Sequence, residues 1–95
     1  MIVVIVQAVP PRLRGHLRRY LTEVAAGVYV GELSARVRDR LWSRVINACA
    51  DGRAILVRSA NNEQGYLFDL VGHSDREIVD LDGFQITRLL DNRNA

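Results

Sequence analysis

The sequence predicts an α+β fold of the ferredoxin-like kind: a βαββαβ sandwich with both helices on one face of the sheet and an extra C-terminal strand. Two segments carry apolar residues at helical spacing, and about four short segments rich in Val, Ile, Leu and aromatic residues are separated by turn residues. With 95 residues, the chain has the length of a single domain, which we assign to residues 1–90, followed by a frayed tail at 91–95.

The chain opens with a predicted strand and helix. Ile2–Val6 is an apolar, largely β-branched run, typical of a strand that is buried on both faces. Pro11 suits the first turn of a helix, where no amide donor is needed, and apolar residues at helical spacing follow it. We therefore predict a helix from about Pro11 to Ala26, ended by Gly27, and then a short strand at Val28–Val30.

A second helix is predicted in the middle of the chain. Ser34 is a residue type that caps helix N-termini. The residues that then keep helical spacing are Val37, Leu41, Val45 and Ala48. The Asp51-Gly52 pair ends this helix.

The remaining segments are predicted to be extended. Ala54–Val57 and Tyr66–Val71 flank a turn at residues 61–65 and form a hairpin. Ile78–Leu81 and Phe84–Leu90 give one or two more strands around Asp82-Gly83. Since Tyr66–Val71 carries apolar residues on both of its faces, we expect a second copy of the chain to cover the sheet face that the helices leave open.

Composition limits the class of protein. Hydrophobic residues make up 48% and charged residues 25% of the chain, as in folded soluble domains. The longest apolar run, Met1–Val6, is too short for a membrane span or a secretory segment, so we expect a cytoplasmic protein. Cys49 is the single cysteine, which excludes an internal disulfide or a multi-cysteine zinc site, and we expect it to be buried on the second helix.

The charge is unevenly distributed along the chain. All 13 basic residues are arginines. Residues 1–50 hold eight arginines against three carboxylates, a net charge of +5, whereas residues 51–95 hold five arginines against eight carboxylates, a net charge of −3. The basic half indicates an anionic partner, most commonly nucleic acid, although a solvated charged surface would give the same pattern.

Four motifs connect the sequence to a known family. They are Val9–Gly15 (VPPRLRG), Ala26–Gly31 (AGVYVG), Ser34–Arg38 with Trp42, and Val79–Gly83 (VDLDG). The sequence resembles CRISPR-associated protein two, the small adaptation protein, in its I-E subtype. The resemblance implies a ferredoxin-like homodimer that works with CRISPR-associated protein one, the integrase that inserts new spacers into the CRISPR array. In that complex the small dimer bridges two integrase dimers and supports a fragment of double-stranded DNA.

The resemblance also implies which residues contact DNA. Arg12, Arg14 and Arg36 match basic positions that contact the DNA backbone in the family. Arg76 matches one of a pair of basic residues in a loop, although here Asp75 takes the place of the other. Such contacts to phosphates are independent of the base sequence.

Three further arginines on the second helix have other expected roles. Arg40 and Arg44 continue the spacing of Arg36 and form one stripe of like charge, without support from the family. Arg38 falls on the apolar side of the helix, where we expect it to be partly buried and paired with an acid, either Asp80 or Asp82.

No catalytic residue is predicted. Many members of the family carry an acid at the end of the first strand, where two copies would hold a divalent metal; here that position is Gln7, a neutral amide. His16 and His73 have no acid at ligand spacing, and we interpret both as ordinary polar residues. The sequence thus favours a scaffold without metal or cofactor. A metal-dependent endonuclease of RNA or DNA, using Mg²⁺ and other acids, is the alternative, and a dimerisation module with no nucleic-acid role is a third.

Overall fold

A computed structural model describes residues 1–72, 76–81 and 84–89 of the chain. Within them, the elements in chain order are β1 (Ile2–Gln7), α1 (Pro11–Arg18), β2 (Thr22–Ala25), β3 (Val28–Gly31), α2 (Ala35–Ala48), β4 (Arg53–Ser59), β5 (Tyr66–Val71), β6 (Arg76–Leu81) and β7 (Phe84–Leu89). Neither α1 nor α2 is long and apolar enough to cross a bilayer.

The first five strands form one sheet in the order β2-β3-β1-β4-β5, and each neighbouring pair is antiparallel. The order of β1 to β4, with one helix after β1 and one after β3, is compatible with a ferredoxin-like fold. The α+β prediction is therefore confirmed. The single extra strand that the sequence predicted is wrong, because three strands follow the βαββαβ unit: β5 extends the main sheet, and β6 and β7 pair separately.

The core lies between the sheet and the two helices. Residues alternate along β1, so that Ile2, Val4 and Val6 are buried while Val3 and Ile5 between them are only half-buried. The helices contribute buried residues at helical spacing, namely Leu13 and Leu17 from α1 and Leu41 and Val45 from α2. Cys49, at the C-terminal end of α2, is 2% exposed and belongs to this core, as predicted. Its burial raises the pKa of the thiol.

The predicted helix from Pro11 to Ala26 is wrong in its second half. The helix ends at Arg18, and Thr22–Ala25 is an edge strand that pairs with β3. Gly27 lies in the hairpin turn between them with φ +77°, and its carbonyl accepts a hydrogen bond from the Val6 amide at 2.8 Å. The helical spacing was coincidental, because Val24 is 60% exposed on this edge strand and contributes nothing to the core.

The sheet face opposite the helices remains partly open. Val3 and Ile5 of β1 lie beside Val57 and Ile55 of β4 on this face, and all four side chains are half-buried. The chain thus presents an apolar sheet surface without a fully buried residue among these four.

The C-terminal hairpin is attached to the free edge of β5. Gln85 of β7 accepts a hydrogen bond from the Phe68 amide at 2.8 Å through its side-chain oxygen, and its backbone exchanges hydrogen bonds with the Gln64 side chain. The predicted turn at residues 61–65 is confirmed, since the Gly65 amide donates to Oδ1 of Asn62 and the Ala60 amide donates to the Gly65 carbonyl. The tail at 91–95 and the Asp82-Gly83 turn lie outside the described residues.

Candidate nucleic-acid interface

Arg12 and Arg14, in the first turn of α1, lie on different sides of the helix. Pro10 is extended, Pro11 begins the helix, and the Leu13 amide donates to the Pro10 carbonyl at 3.0 Å. Arg12 and Arg14 are two residues apart, which is about 200° around the helix axis. Arg12 is exposed and faces α2, whereas Arg14 is half-buried and its charge acts on Tyr29.

Helix α2 presents a row of arginines on one face. Ser34 caps the helix, with its Oγ accepting a hydrogen bond from the Val37 amide at 3.2 Å, as the sequence predicted. Arg36, Arg40 and Arg44 lie on successive turns, and all three are exposed. The row therefore places three positive charges along one face of α2.

A groove of about 510 Å³ runs between the two helices. Its lining residues are Pro10, Arg12, Leu13, Gly15, His16, Arg19, Arg44 and Ala48. A second hollow of about 230 Å³ adjoins it and shares His16 and Arg44, adding Arg40 from α2. Among the described residues that line either part, none is Asp or Glu. The groove is therefore a concave surface with positive charge on both walls.

His16 lies at the junction of the two parts of the groove. Its ring meets that of Tyr20 edge to face, with 5.3 Å between the ring centres. Partial burial, and then the positive charges of Arg44 and Arg19, lower the pKa of His16 below its ordinary value of 6.5. The imidazole is consequently held in its neutral form at neutral pH.

A carboxylate neutralises the other side of α1. Glu23 of β2 pairs with Arg18 at 3.3 Å and accepts a hydrogen bond from the Gly27 amide at 3.2 Å. The Gly27 amide, the neighbouring Tyr29 hydroxyl and Arg18 together lower the pKa of Glu23. The charges of Glu23 and Arg14 both act on Tyr29, so Arg14 lies on the side of α1 that carries a carboxylate. Arg12 instead lines a groove with Arg19 and Arg44.

The Tyr29 hydroxyl is buried beside this carboxylate. Tyr29 is 0% exposed, and within the described part of the chain its hydroxyl makes no hydrogen bond of ordinary geometry. Burial, and secondly the adjacent Glu23, raise the pKa of Tyr29. The phenol thus fills the core while its polar end points at Glu23.

Arg38 is separate from the exposed row of α2. Its side chain is 19% exposed and pairs with Asp39 at 3.1 Å. The predicted partial burial is confirmed, while the ion pair seen here is with the next residue along the helix. Of the two partners that the sequence suggested, Asp80 lies in β6 and Asp82 lies outside the described residues.

Arg76 is the first residue of β6, so its predicted position in a loop is wrong. Residues 73–75, which include His73 and Asp75, lie outside the described residues. The four arginines predicted to contact DNA therefore occupy different places. Arg12 lines the groove, whereas Arg36 is exposed on α2 and is not among the lining residues. Arg14 lies on another side of α1, and Arg76 begins a strand of the C-terminal hairpin.

The groove and the sheet together can be compared with known protein families. A family model described as CRISPR-associated protein (Cas_Cas2CT1978) matches residues 1–86. The chain belongs to this family. The match extends from β1 into β7 and supports, at the level of a Cas2-like protein, the resemblance seen in the sequence motifs.

In this CRISPR-associated chain, the end of β1 does not fit a divalent metal. Gln7 is exposed at the last position of β1, and its pairing partner on β4 is Arg53, a cation. A neutral amide beside a guanidinium offers no anionic oxygen, and Mg²⁺ is usually held through at least one carboxylate. Within residues 1–72, 76–81 and 84–89, no group of three or more His, Cys, Asp or Glu side chains is placed to hold a metal ion.

Two residues of the groove of this Cas2-like protein did not emerge from the sequence as site residues. The sequence motifs point to neither residue, because His16 has no acid at ligand spacing and Arg19 belongs to none of the four motifs. The usable signal was the spacing of Arg12, His16 and Arg19, which at i, i+4 and i+7 share one face of a helix. The spacing does not predict that α2 lies opposite that face, and this position of α2 is what forms the groove.

Proposed function

We propose that this chain is a non-catalytic, homodimeric scaffold of the CRISPR spacer-integration complex, of the I-E subtype. In this role it binds the backbone of double-stranded DNA and bridges dimers of the CRISPR-associated integrase. Membership in the Cas2-like family supports the CRISPR context, and the sequence motifs support the subtype.

The observation that carries the proposal is the unbalanced positive charge on the helical face. Arg12, Arg36, Arg40 and Arg44 are exposed, and none of them forms an ion pair with a described residue. Arginine presents a planar pair of donors that matches phosphate oxygens. A like-charged surface without neutralising carboxylates is stabilised by an anionic partner, and duplex DNA supplies phosphates at regular spacing.

The open sheet face supports the dimer. Val3, Ile5, Ile55 and Val57 form an apolar surface that is only half-buried in one chain. Burial of such a surface against a second copy removes it from water, which is favourable. Symmetric dimers of identical chains are the commonest arrangement that achieves this burial.

DNA binding is tested by salt titration of fluorescence anisotropy with a labelled duplex. We expect Arg12→Ala and Arg36→Ala to weaken binding to every duplex alike and to reduce the slope of log K against log salt by about 0.9 for each phosphate that the variant no longer neutralises. Arg18→Ala is the matched control, because Arg18 is on the same helix and already pairs with Glu23. Unchanged affinity and slope in both test variants would assign these arginines to a solvated surface.

The scaffold role is tested by a pull-down with the neighbouring integrase, with and without duplex DNA. Capture of the integrase by the wild-type chain supports the bridge, and failure to capture it under both conditions contradicts the proposal.

A nuclease assay with Mg²⁺ separates the scaffold from the endonuclease alternative. Because Gln7 lacks an anionic oxygen and lies opposite Arg53, we expect no Mg²⁺-dependent cleavage of RNA or DNA above a contamination control. Robust cleavage that Gln7→Ala abolishes would establish the nuclease instead. Cleavage that survives Gln7→Ala but disappears in Asp80→Ala would place the metal-binding acids elsewhere.

A further inference from the structure

The groove between α1 and α2 holds two side chains, His16 and Arg19, that the proposed DNA contacts do not use. Arg19, Arg40 and Arg44 line it together with Arg12, and His16 lies where its two parts meet. Within the described part of the chain, no carboxylate lies within ion-pair distance of these four arginines. The groove therefore concentrates positive charge in a concave space of about 510 Å³, and none of the described residues that line it is Asp or Glu.

The arrangement of the charges indicates the shape of the anion. Arg40 and Arg44 are one turn apart, about 6 Å along α2, and Arg12 and Arg19 are about 10 Å apart along α1. The cations are thus spread along both walls and do not converge on a single point. Because a duplex strand carries one phosphate for about 3.4 Å of helix axis, cations spread over about 10 Å suit an extended polyanion better than one compact anion.

His16 is surrounded by cations on both helices. The charged and titratable groups that face it are Arg12 on its own helix, Arg19 and Tyr20 directly after that helix, and Arg40 and Arg44 on α2. Without a ligand, a proton on the imidazole is repelled by these guanidinium groups. A phosphate placed between them offsets part of this repulsion and favours the protonated ring.

We propose that the groove between α1 and α2 binds the phosphodiester backbone of a nucleic acid and that His16 takes up a proton when the backbone is bound. The inference rests on the proposed function in so far as the ligand is a nucleic acid. It goes beyond it by adding His16 and Arg19 to the residues that contact the backbone and by making binding dependent on pH.

The direction of the pH dependence follows from linkage. His16 is neutral in the free protein and protonated in the complex, so binding strengthens as the pH falls. Uptake of one proton strengthens binding by up to about tenfold per pH unit where the free protein is neutral and the complex is protonated.

The experiment measures duplex DNA binding by fluorescence anisotropy from about pH 7.5 to about pH 5.5 at constant ionic strength. For the wild type we expect affinity to rise several-fold over this range. His16→Gln should bind with nearly constant affinity over this range. Calorimetry in buffers of different ionisation enthalpy should show proton uptake by the wild type and none by His16→Gln.

Neighbouring arginines provide a matched pair for the groove. Arg19→Ala removes a lining residue and should weaken binding and reduce the salt slope by about 0.9, whereas Arg18→Ala, whose guanidinium pairs with Glu23, should leave both unchanged. Because all three substituted side chains are at least partly exposed, circular dichroism is expected to show folded variants.

The outcomes separate the two proposals. DNA binding that depends on Arg14 and Arg36, but not on Arg19 or on the protonation of His16, overturns the groove and leaves the proposed function standing. Absence of DNA binding by the wild type overturns both. Inorganic phosphate that displaces the duplex better than chloride at equal ionic strength, with the same proton uptake, shows a site for a compact anion and overturns the assignment to a nucleic-acid backbone.

Discussion

Two glycines in the first third of the chain lie in opposite environments, although the residue type is the same. A Cβ added to Gly27 would lie 2.5 Å from the Val6 carbonyl oxygen, and the backbone there has φ +77°. A Cβ added to Gly15, inside α1, meets no atom within 4 Å. Glycine is required at position 27 by the close approach of the hairpin turn to β1, whereas position 15 has room for a side chain.

Gly27→Ala is therefore expected to destabilise the protein, on the order of 1–3 kcal/mol, through backbone strain and collision with β1. Gly15→Ala should stabilise it by about 0.5–1 kcal/mol, because alanine restricts the unfolded chain and favours helix. Urea unfolding of both variants measures the two values. Equal effects of the same sign would contradict this interpretation of the two sites.

The carboxylate of Glu23 makes stability depend on pH. Its pKa in the folded protein is lowered from 4.5, chiefly by the Gly27 amide. The stabilisation it provides is complete above its unfolded pKa and is lost as the pH falls through the lowered folded value. We expect the difference in unfolding free energy between wild type and Glu23→Gln to be largest near neutral pH and to shrink in acid. Urea titrations from about pH 7 to about pH 2.5 measure it, and a difference that grows in acid would contradict the assignment.

At the scale of the element, the two helices show what a sequence pattern contains and what it omits. Helix α2 was predicted well because two independent signals agree, the Ser34 cap and the apolar spacing that ends in Leu41 and Val45. Helix α1 was predicted too long because apolar spacing continued through Val24. The chain leaves the helix at Arg18, and residues 22–25 form a hairpin with β3 through the turn at Ala26-Gly27. Because a glycine suits the end of a helix as well as a hairpin turn, the local pattern did not distinguish the two.

The same distinction applies to the candidate site. The arginines and their helices were predictable, because charge and helical position are local properties. Which arginines face each other across a groove depends on how α1 packs on α2, and the sequence pattern does not contain this packing, which brings Arg12 and Arg44 to one groove.

The cap of α2 provides a test at this scale. Ser34→Ala removes the acceptor of the Val37 amide and should lower the free energy of unfolding by about 1 kcal/mol. Ser43→Ala is the control, because Ser43 is exposed in the interior of the same helix, where alanine is neutral or slightly favourable. Thermal and urea unfolding measure both, and a destabilisation at Ser43 equal to that at Ser34 would rule out the cap as the cause.

For the whole molecule, the open apolar sheet face predicts association. We expect light scattering at micromolar concentration to give twice the mass of one chain. Val57→Asp, which places a charge on this face, should give the mass of one chain because burial of the carboxylate opposes contact. Ile46→Asp makes the same kind of change at a residue that is 48% exposed on α2 and should leave the mass of the wild type.

A wild-type mass of one chain, independent of concentration, would contradict the dimer. Circular dichroism of Val57→Asp shows whether the fold is retained, and a folded variant that keeps the doubled mass would place the interface elsewhere on the surface.

The central position of β1 also has a consequence during synthesis. β1 is made first, yet one of its two neighbours is β4, with Val4 paired to Leu56 about 50 residues later. At about 5–20 residues per second, a ribosome needs roughly 3–10 s to deliver that neighbour. During this time Ile2–Val6, a short, uncharged and largely β-branched run, has an unsatisfied edge. The nascent chain thus carries an aggregation-prone segment for seconds, and it is in this interval that a chaperone bound near the ribosome would do most for its yield.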